Sequence, residues 1–219
     1  MTDYLKDTFF LDFKSEEYTL FTEGLELDDD PIKKAIQLYM LVRDRYLYDP
    51  YHLNLTSEGL QTSKLLNKKR AWCVEKAAIL AALARKYNIP SRLGYAIVTN
   101  HIGVEKLVNY LRRKEIVFHG FTEMYLEGRW IKCTPAFDQR ICRISNVQAL
   151  DWDGQTDSMF QEFEQGKRFM EYLHFYGHFD DIPIDLMNSE MKKYYPHLFE
   201  GEWRGKEFSF IPANQKSLY

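Results

Sequence analysis

Cysteine is scarce in this chain. Cys73, Cys133 and Cys142 are the only three among 219 residues, irregularly spaced and without a Cys-x-x-Cys pair, so neither a disulfide framework nor a clustered thiolate metal site is expected. No apolar run reaches the roughly 18 residues of a membrane span. The stretch from Thr8 to Leu11 is bounded by acids and far too short for a signal-peptide core. An excess of positive charge is also missing: 29 Lys and Arg stand against 32 Asp and Glu, a net charge of -3 at pH 7, which leaves no global field to gather nucleic acid or anionic lipid. No loop clusters Asp and Asn as a calcium site would; Asp28, Asp29 and Asp30 run straight into Pro31 and read as a helix start. The expectation is a protein of the reducing cytoplasm with no cofactor, no metal, no membrane contact and no nucleic acid partner.

What is present is core-forming material. Hydrophobic residues make up 45% of the chain and aromatic ones 16%, enough for a sizeable core and for a ring-lined cleft. The length suits one large domain. The pattern divides it into a core over residues 1–150, with an N-terminal extension, and a helix-rich, aromatic-rich elaboration of the same domain over 151–219.

Residues 1–27 alternate weakly and predict a strand with turns. From Ile32 to about Leu47 the apolar residues keep helical spacing until Asp49-Pro50. A short helix is expected at Leu60–Leu66. Cys73 to Tyr87 is apolar on most sides and free of Gly and Pro, the pattern of a central helix buried nearly all round. After Pro90 a strand holds Leu93, Tyr95 and Ile97, a second covers residues 115–126, and Glu127-Gly128 turns into a third over Arg129–Thr134. Helical stretches are expected at Ser158–Phe175 and Ser189–Tyr194. Helices followed by antiparallel strands make the fold class α+β.

Cys73 opens the buried helix, where free N–H groups and the helix dipole favour a thiolate. The dipole is worth at most about 2 kcal/mol, or roughly 1.5 pH units from a starting value near 8.5, so a second cation is required. His119, mid-strand on a sheet packed against that helix, is the best supplier. A plain core cysteine fits the same position.

The segment CVEKAAILAALARKYNIPSR resembles the core signature of the transglutaminase-like superfamily: Cys, three residues, Ala, an apolar helix, Arg, then Ile-Pro-x-Arg and a Gly-Tyr strand. Cys73, Ala77, Leu80, Leu83, Arg85, Ile89, Pro90, Arg92, Gly94 and Tyr95 match in order. A second block, His119-Gly120-Phe121-Thr122-Glu123 with Trp130, is similar to the family's His-x-aromatic-x-Glu followed by a turn and Trp. The resemblance covers roughly Pro31 to Phe137. It implies a papain-like α+β fold with the nucleophile at the N-terminus of a buried helix on an antiparallel sheet. It also implies a Cys-His-Asp triad and acyl transfer or hydrolysis at amide carbonyls through a thioester, on a peptide or small amide. A catalytically silent binding module of the same fold is the alternative.

The departures concern the third triad member. Where the family has Asp, this chain has Thr134, a neutral hydroxyl that can fix the imidazole tautomer but gives little support to an imidazolium. Asp138, beyond Pro135, can fold back to supply charge. Glu123 cannot, since four residues of strand put it about 13 Å from His119. For the oxyanion, the Cys73 backbone N–H is at hand; Asn67, six residues upstream of Cys73, is either a second donor or a loop residue, and Trp72 either lines the cleft or packs. His174 and His178 at i, i+4 with Glu171 form a metal-like trio that Gly177 interrupts. The rings Phe160, Phe163, Phe169, Tyr172, Phe175, Tyr176 and Phe179 exceed what one helix face can bury, so some are expected beside the core or over its cleft.

Overall fold

The chain turns where its punctuation residues stand. A computed structural model describes residues 2–100, 105–159, 162–163, 167–168, 170–199 and 208–209. Asp30 caps α2 (Pro31–Arg45) by accepting the Lys33 N–H, and Pro31 takes the first turn, where its missing N–H costs nothing. Before it lies α1 (Glu16–Thr22) in place of the expected strand: the Ser15 cap and two first-turn glutamates outweigh a short alternation. β1 (Leu47–Tyr48) pairs in parallel with β3 (Arg70–Ala71), and β2 (His52–Leu53) pairs with β10 (Phe208–Ser209). α3 (Thr62–Leu65) is the short helix expected near Leu60, trimmed at both ends.

α4 (Cys73–Lys86) is the centre of the molecule, with thirteen of its fourteen residues buried. Each fully buried Leu or Ile here contributes about 1.5–3 kcal/mol, so the run Ile79, Leu80 and Leu83 anchors the helix that begins with Cys73. Arg85, also buried, is made tolerable by its guanidinium donating to the carbonyls of Ser91, Lys6 and Asp180.

One antiparallel sheet packs on α4, in the order β6-β5-β4-β9, from β4 (Ser91–Asn100), β5 (Glu115–Leu126), β6 (Arg129–Cys133) and β9 (Met170–Phe179). β5 and β6 form the expected hairpin, with Glu127 and Gly128 both at positive φ. Glycine is required at position 120: a Cβ there would sit 2.9 Å from the Val74 Cα, so its absence lets α4 lie directly on β5. Thr122 fastens the same contact by donating its hydroxyl to the Ala77 carbonyl. α5 (Glu105–Leu111), α6 (Gln139–Ile144) and α7 (Ile184–Tyr194) are peripheral; α7 starts earlier than the expected Ser189, just after Pro183.

The helix expected over Ser158–Phe175 is not formed. That region holds the short pair β7 (Glu162–Phe163) with β8 (Lys167–Arg168), then β9. Tyr172, Phe175, Tyr176 and Phe179 keep helical spacing, and pairing with the open edge of β4 overrides it in favour of strand. The 151–219 segment is therefore not helix-rich in its first half: it supplies the fourth strand of the main sheet. No helix among the described residues is long and apolar enough to cross a membrane.

Candidate active site

Cys73 is the first residue of α4, after Trp72 in the capping position, and Glu75 reaches back to accept the Trp72 N–H at 3.3 Å. The thiol is only 3% exposed. Burial pushes it up to about 11, against the pull of the N–H groups of Gly120, Val74 and Cys73 itself. The dipole argument for a thiolate is thus outweighed by desolvation. The Gly120 contribution places the Cys73 sulfur beside the peptide that follows His119.

The sheet carries a fault directly beside His119. Ala96 pairs with His119 but Val98 with Ile116, so Ile97 faces both Val117 and Phe118, and Phe118 takes a φ of 62°. Such a bulge re-aims the side chains next to it. β9 answers at the same level: Ile97 pairs with His174 and Val98 with Tyr172, leaving Leu173 as the extra residue. Without that insertion Leu173 would stand opposite Val98. With it, the Tyr172 ring meets the His119 ring edge to face, centroids 6.0 Å apart. Burial raises the Tyr172 phenol well above its ordinary value, and the charge of a Cys73 thiolate would raise it further, so the phenol beside His119 also lies within electrostatic reach of Cys73.

His119 is 2% exposed and burial holds it down to about 4. An imidazolium supporting a thiolate, the sequence expectation, is not the state of this closed site. Both groups are shielded from water and both are neutral. A cavity of about 330 Å³ bounded by Leu150, Asp151, Trp152 and Ser158 takes in neither of them.

The two candidates for the third position are separated by the geometry. Thr134 Oγ1 lies 3.4 Å from His119 Nε2, and the Thr134 backbone is fixed on both sides, its N–H donating to the Ser158 carbonyl and its carbonyl accepting from the Tyr39 hydroxyl. Asp138 is occupied elsewhere. It caps α6, with Oδ1 accepting the N–H groups of Arg140 and Ile141 and Oδ2 that of Tyr48 at 2.6 Å. Its residue type and position are explained by a helix start, so the fold-back toward His119 does not occur. Glu123, as expected, is remote from His119: it is buried and held by Arg92 at 2.6 Å and His178 at 3.0 Å. Asn67 is exposed just past α3, while Trp72 is buried, its indole N–H without an acceptor among the described residues.

His174 and His178 lie on a strand, not a helix, and His178 turns to Glu123 instead of joining a trio with Glu171. No group of three or more His, Cys, Asp or Glu among the described residues could hold a metal ion. Phe160 and Phe169 lie outside the described residues. Phe175 stacks on Phe121, which lies next to Tyr172, and a row of rings runs from His119 toward the surface.

Comparison with known families bears on this arrangement directly: the family model described as the transglutaminase-like superfamily matches residues 20–135, more than half of the chain. The chain belongs to the transglutaminase-like superfamily. Searches of curated proteins and of solved structures found no match. The mixed helix and sheet architecture is that of an α+β domain of this family, whose members are generally cysteine-dependent enzymes. Its matched span takes in Cys73, His119 and Thr134 and stops short of Asp138 and of β9. Tyr172 therefore reaches the transglutaminase-like core from outside it. Sequence reasoning placed Tyr172 among seven rings but had no signal for which one would meet His119, because the choice is made by a bulge.

Proposed function

We propose that the chain is a cysteine-dependent enzyme of acyl transfer or amide hydrolysis, acting on a peptide or small amide. The observation that carries this is that Cys73, at the start of α4, lies beside the N–H of Gly120, the residue that directly follows His119, whose Nε2 in turn faces the Thr134 hydroxyl. In this reading Nε2–H donates to Thr134 Oγ1, which leaves Nδ1 free to take a proton. The Cys73 thiol loses its proton to His119 as sulfur attacks the carbonyl carbon. The oxyanion leans on the Cys73 N–H. The same proton then passes to the leaving amine, and water or an amine resolves the thioester, with His119 again accepting the proton. Hydrolysis is favoured over transfer, since nothing among the described residues marks a second site for an amine.

A second reading, a silent binding module, is favoured by the neutral, buried state of both Cys73 and His119. Mass spectrometry after incubation with a peptidyl electrophile separates the two, with Cys133 and Cys142 as internal references. A stable adduct on Cys73 alone is expected from the enzyme. Equal labelling of all three thiols, or of none, decides for the module. With a thiol near 11, about one Cys73 in ten thousand is ionised at pH 7. Labelling by the simple reagent iodoacetamide should therefore be slow there and climb steeply with pH, whereas a substrate-like electrophile can draw on His119 as base.

A further inference from the structure

Lys76 lies one turn after Cys73 and is completely buried. Its ammonium donates to three backbone carbonyls: Arg43 at 2.8 Å, Tyr46 at 2.8 Å and Ala136 at 2.9 Å. Two of these carbonyls lack the backbone donor that a continuing helix would supply. Leu47, which would close the last turn of α2 on Arg43, gives its N–H to Lys69 instead, and the residue four past Tyr46 is Pro50, which has none. A cation at the C-terminal end of α2 also suits the helix dipole. Ala136, fully buried, belongs to the loop between β6 and α6, two residues after Thr134 and two before Asp138. Asp138 holds the far end of that loop to Tyr48, beside the Tyr46 carbonyl that Lys76 takes.

We propose that Lys76 is a positioning residue: from the nucleophile's own helix it grips the Thr134–Asp138 loop and so sets Thr134 against His119. This rests on the reading of Cys73, His119 and Thr134 as the reacting group. The loop has other ties, and the Ala136 bond joins it to α4, so it couples the first turn of the helix to the residue facing His119 Nε2. The stoichiometry matters too. An ammonium has three N–H donors and a neutral amine two, so loss of one proton must release one of the three carbonyls. Burial brings Lys76 down to about 7; the carboxylates of Asp138 and Asp44 oppose that, while Arg43 adds to it and the Cys142 thiol, once ionised, would oppose it. The clamp is therefore at full strength on the acid side of neutrality and loses a bond on the alkaline side.

The test compares the wild-type chain with Lys76→Met, Thr134→Val and the double variant. One readout is the ring signals of His119 in protein labelled at histidine, identified by their loss in His119→Gln. The other is the rate of adduct formation at Cys73. Lys76→Met is expected to move the His119 signals toward those of Thr134→Val and to slow adduct formation by on the order of tenfold or more. The double variant should be no slower than Thr134→Val, because the two residues act in series. A folded Lys76→Met chain with wild-type His119 signals, or a double variant whose losses multiply, overturns the proposal. Should Lys76→Met fail to fold, hydrogen exchange of the wild type from pH 6 to 9 decides. After correction for intrinsic rates, protection over residues 134–138 should fall relative to β5, and parallel behaviour of the two overturns the clamp. A Cys73 that forms no adduct in the wild type would sink the enzyme reading while the His119 signals still report on Lys76.

Discussion

Tyr172 and His119 meet ring to ring across β4, which separates their strands, because β9 carries an extra residue, Leu173, at the level of Ile97. Without this bulge Leu173 would stand opposite Val98 and the phenol would fall on the other face of the sheet. The contact helps to keep water from His119, and removing it should be felt at His119 and at Cys73.

Tyr172→Ala is expected to let water reach His119 and Cys73. The imidazole should rise from about 4 toward its ordinary 6.5, and the thiol should fall from about 11 toward its ordinary 9.0. Iodoacetamide labelling of Cys73 at pH 7 should then speed up by at least about tenfold. A rate equal to the wild type would show that other residues keep the site closed.

His119 makes stability depend on pH in a definite direction. Its folded value lies below its ordinary value, so as pH falls the unfolded chain binds the proton first, and stability present above about 6.5 drains away as pH approaches 4. The full shift corresponds to about 3 kcal/mol. Urea denaturation at pH 7 and at pH 4.5 should show a steeper loss for the wild type than for His119→Gln. Equal losses in the two would mean that the imidazole is already charged or already wet.

Much of this architecture is legible in the sequence. Pro31, Pro90 and Glu127-Gly128 mark real boundaries, and the Ala-rich run after Cys73 does form the central buried helix. The rest depends on partners distant in the chain. Residues 170–179 become strand because β4 offers them an edge, which no local period reveals. Asp138 resembles a triad acid until the N–H groups of Arg140, Ile141 and Tyr48 claim its carboxylate. Lys76 in the sequence is only a cation among alanines and leucines; its meaning comes from carbonyls on α2 and on the loop after β6.

Thr134→Asp would place a carboxylate against the imidazole. An opposite charge at that distance should raise His119 by about one to three pH units, and histidine ring titration by NMR would read it. Labelling of Cys73 near neutral pH should rise with it, as the proton accepted from sulfur becomes easier to hold. A His119 titration unchanged in the folded variant would mean that the new carboxylate points away.

Gly120→Ala tests the seat of Cys73 on the sheet. The added methyl would stand 2.9 Å from the Val74 Cα, so either α4 or β5 must shift. The expected cost is about 1–3 kcal/mol by chemical denaturation, with loss of adduct formation at Cys73. Unaltered stability would show that α4 slides on the sheet without penalty.

The pairing of β4 with β9 also constrains how the molecule is assembled in time. β5 and β6 form a hairpin from neighbouring sequence, whereas β4 must wait for a partner that begins at Met170, far along the chain from Asn100. Until then β4 presents an unpaired edge carrying Tyr95, Ile97 and Val98, a template on which another chain can add. Closing so long a loop is slow. On a ribosome the edge stands open while the intervening residues are made, so β9, once made, both brings Tyr172 to His119 and closes the edge on which the nascent protein can aggregate.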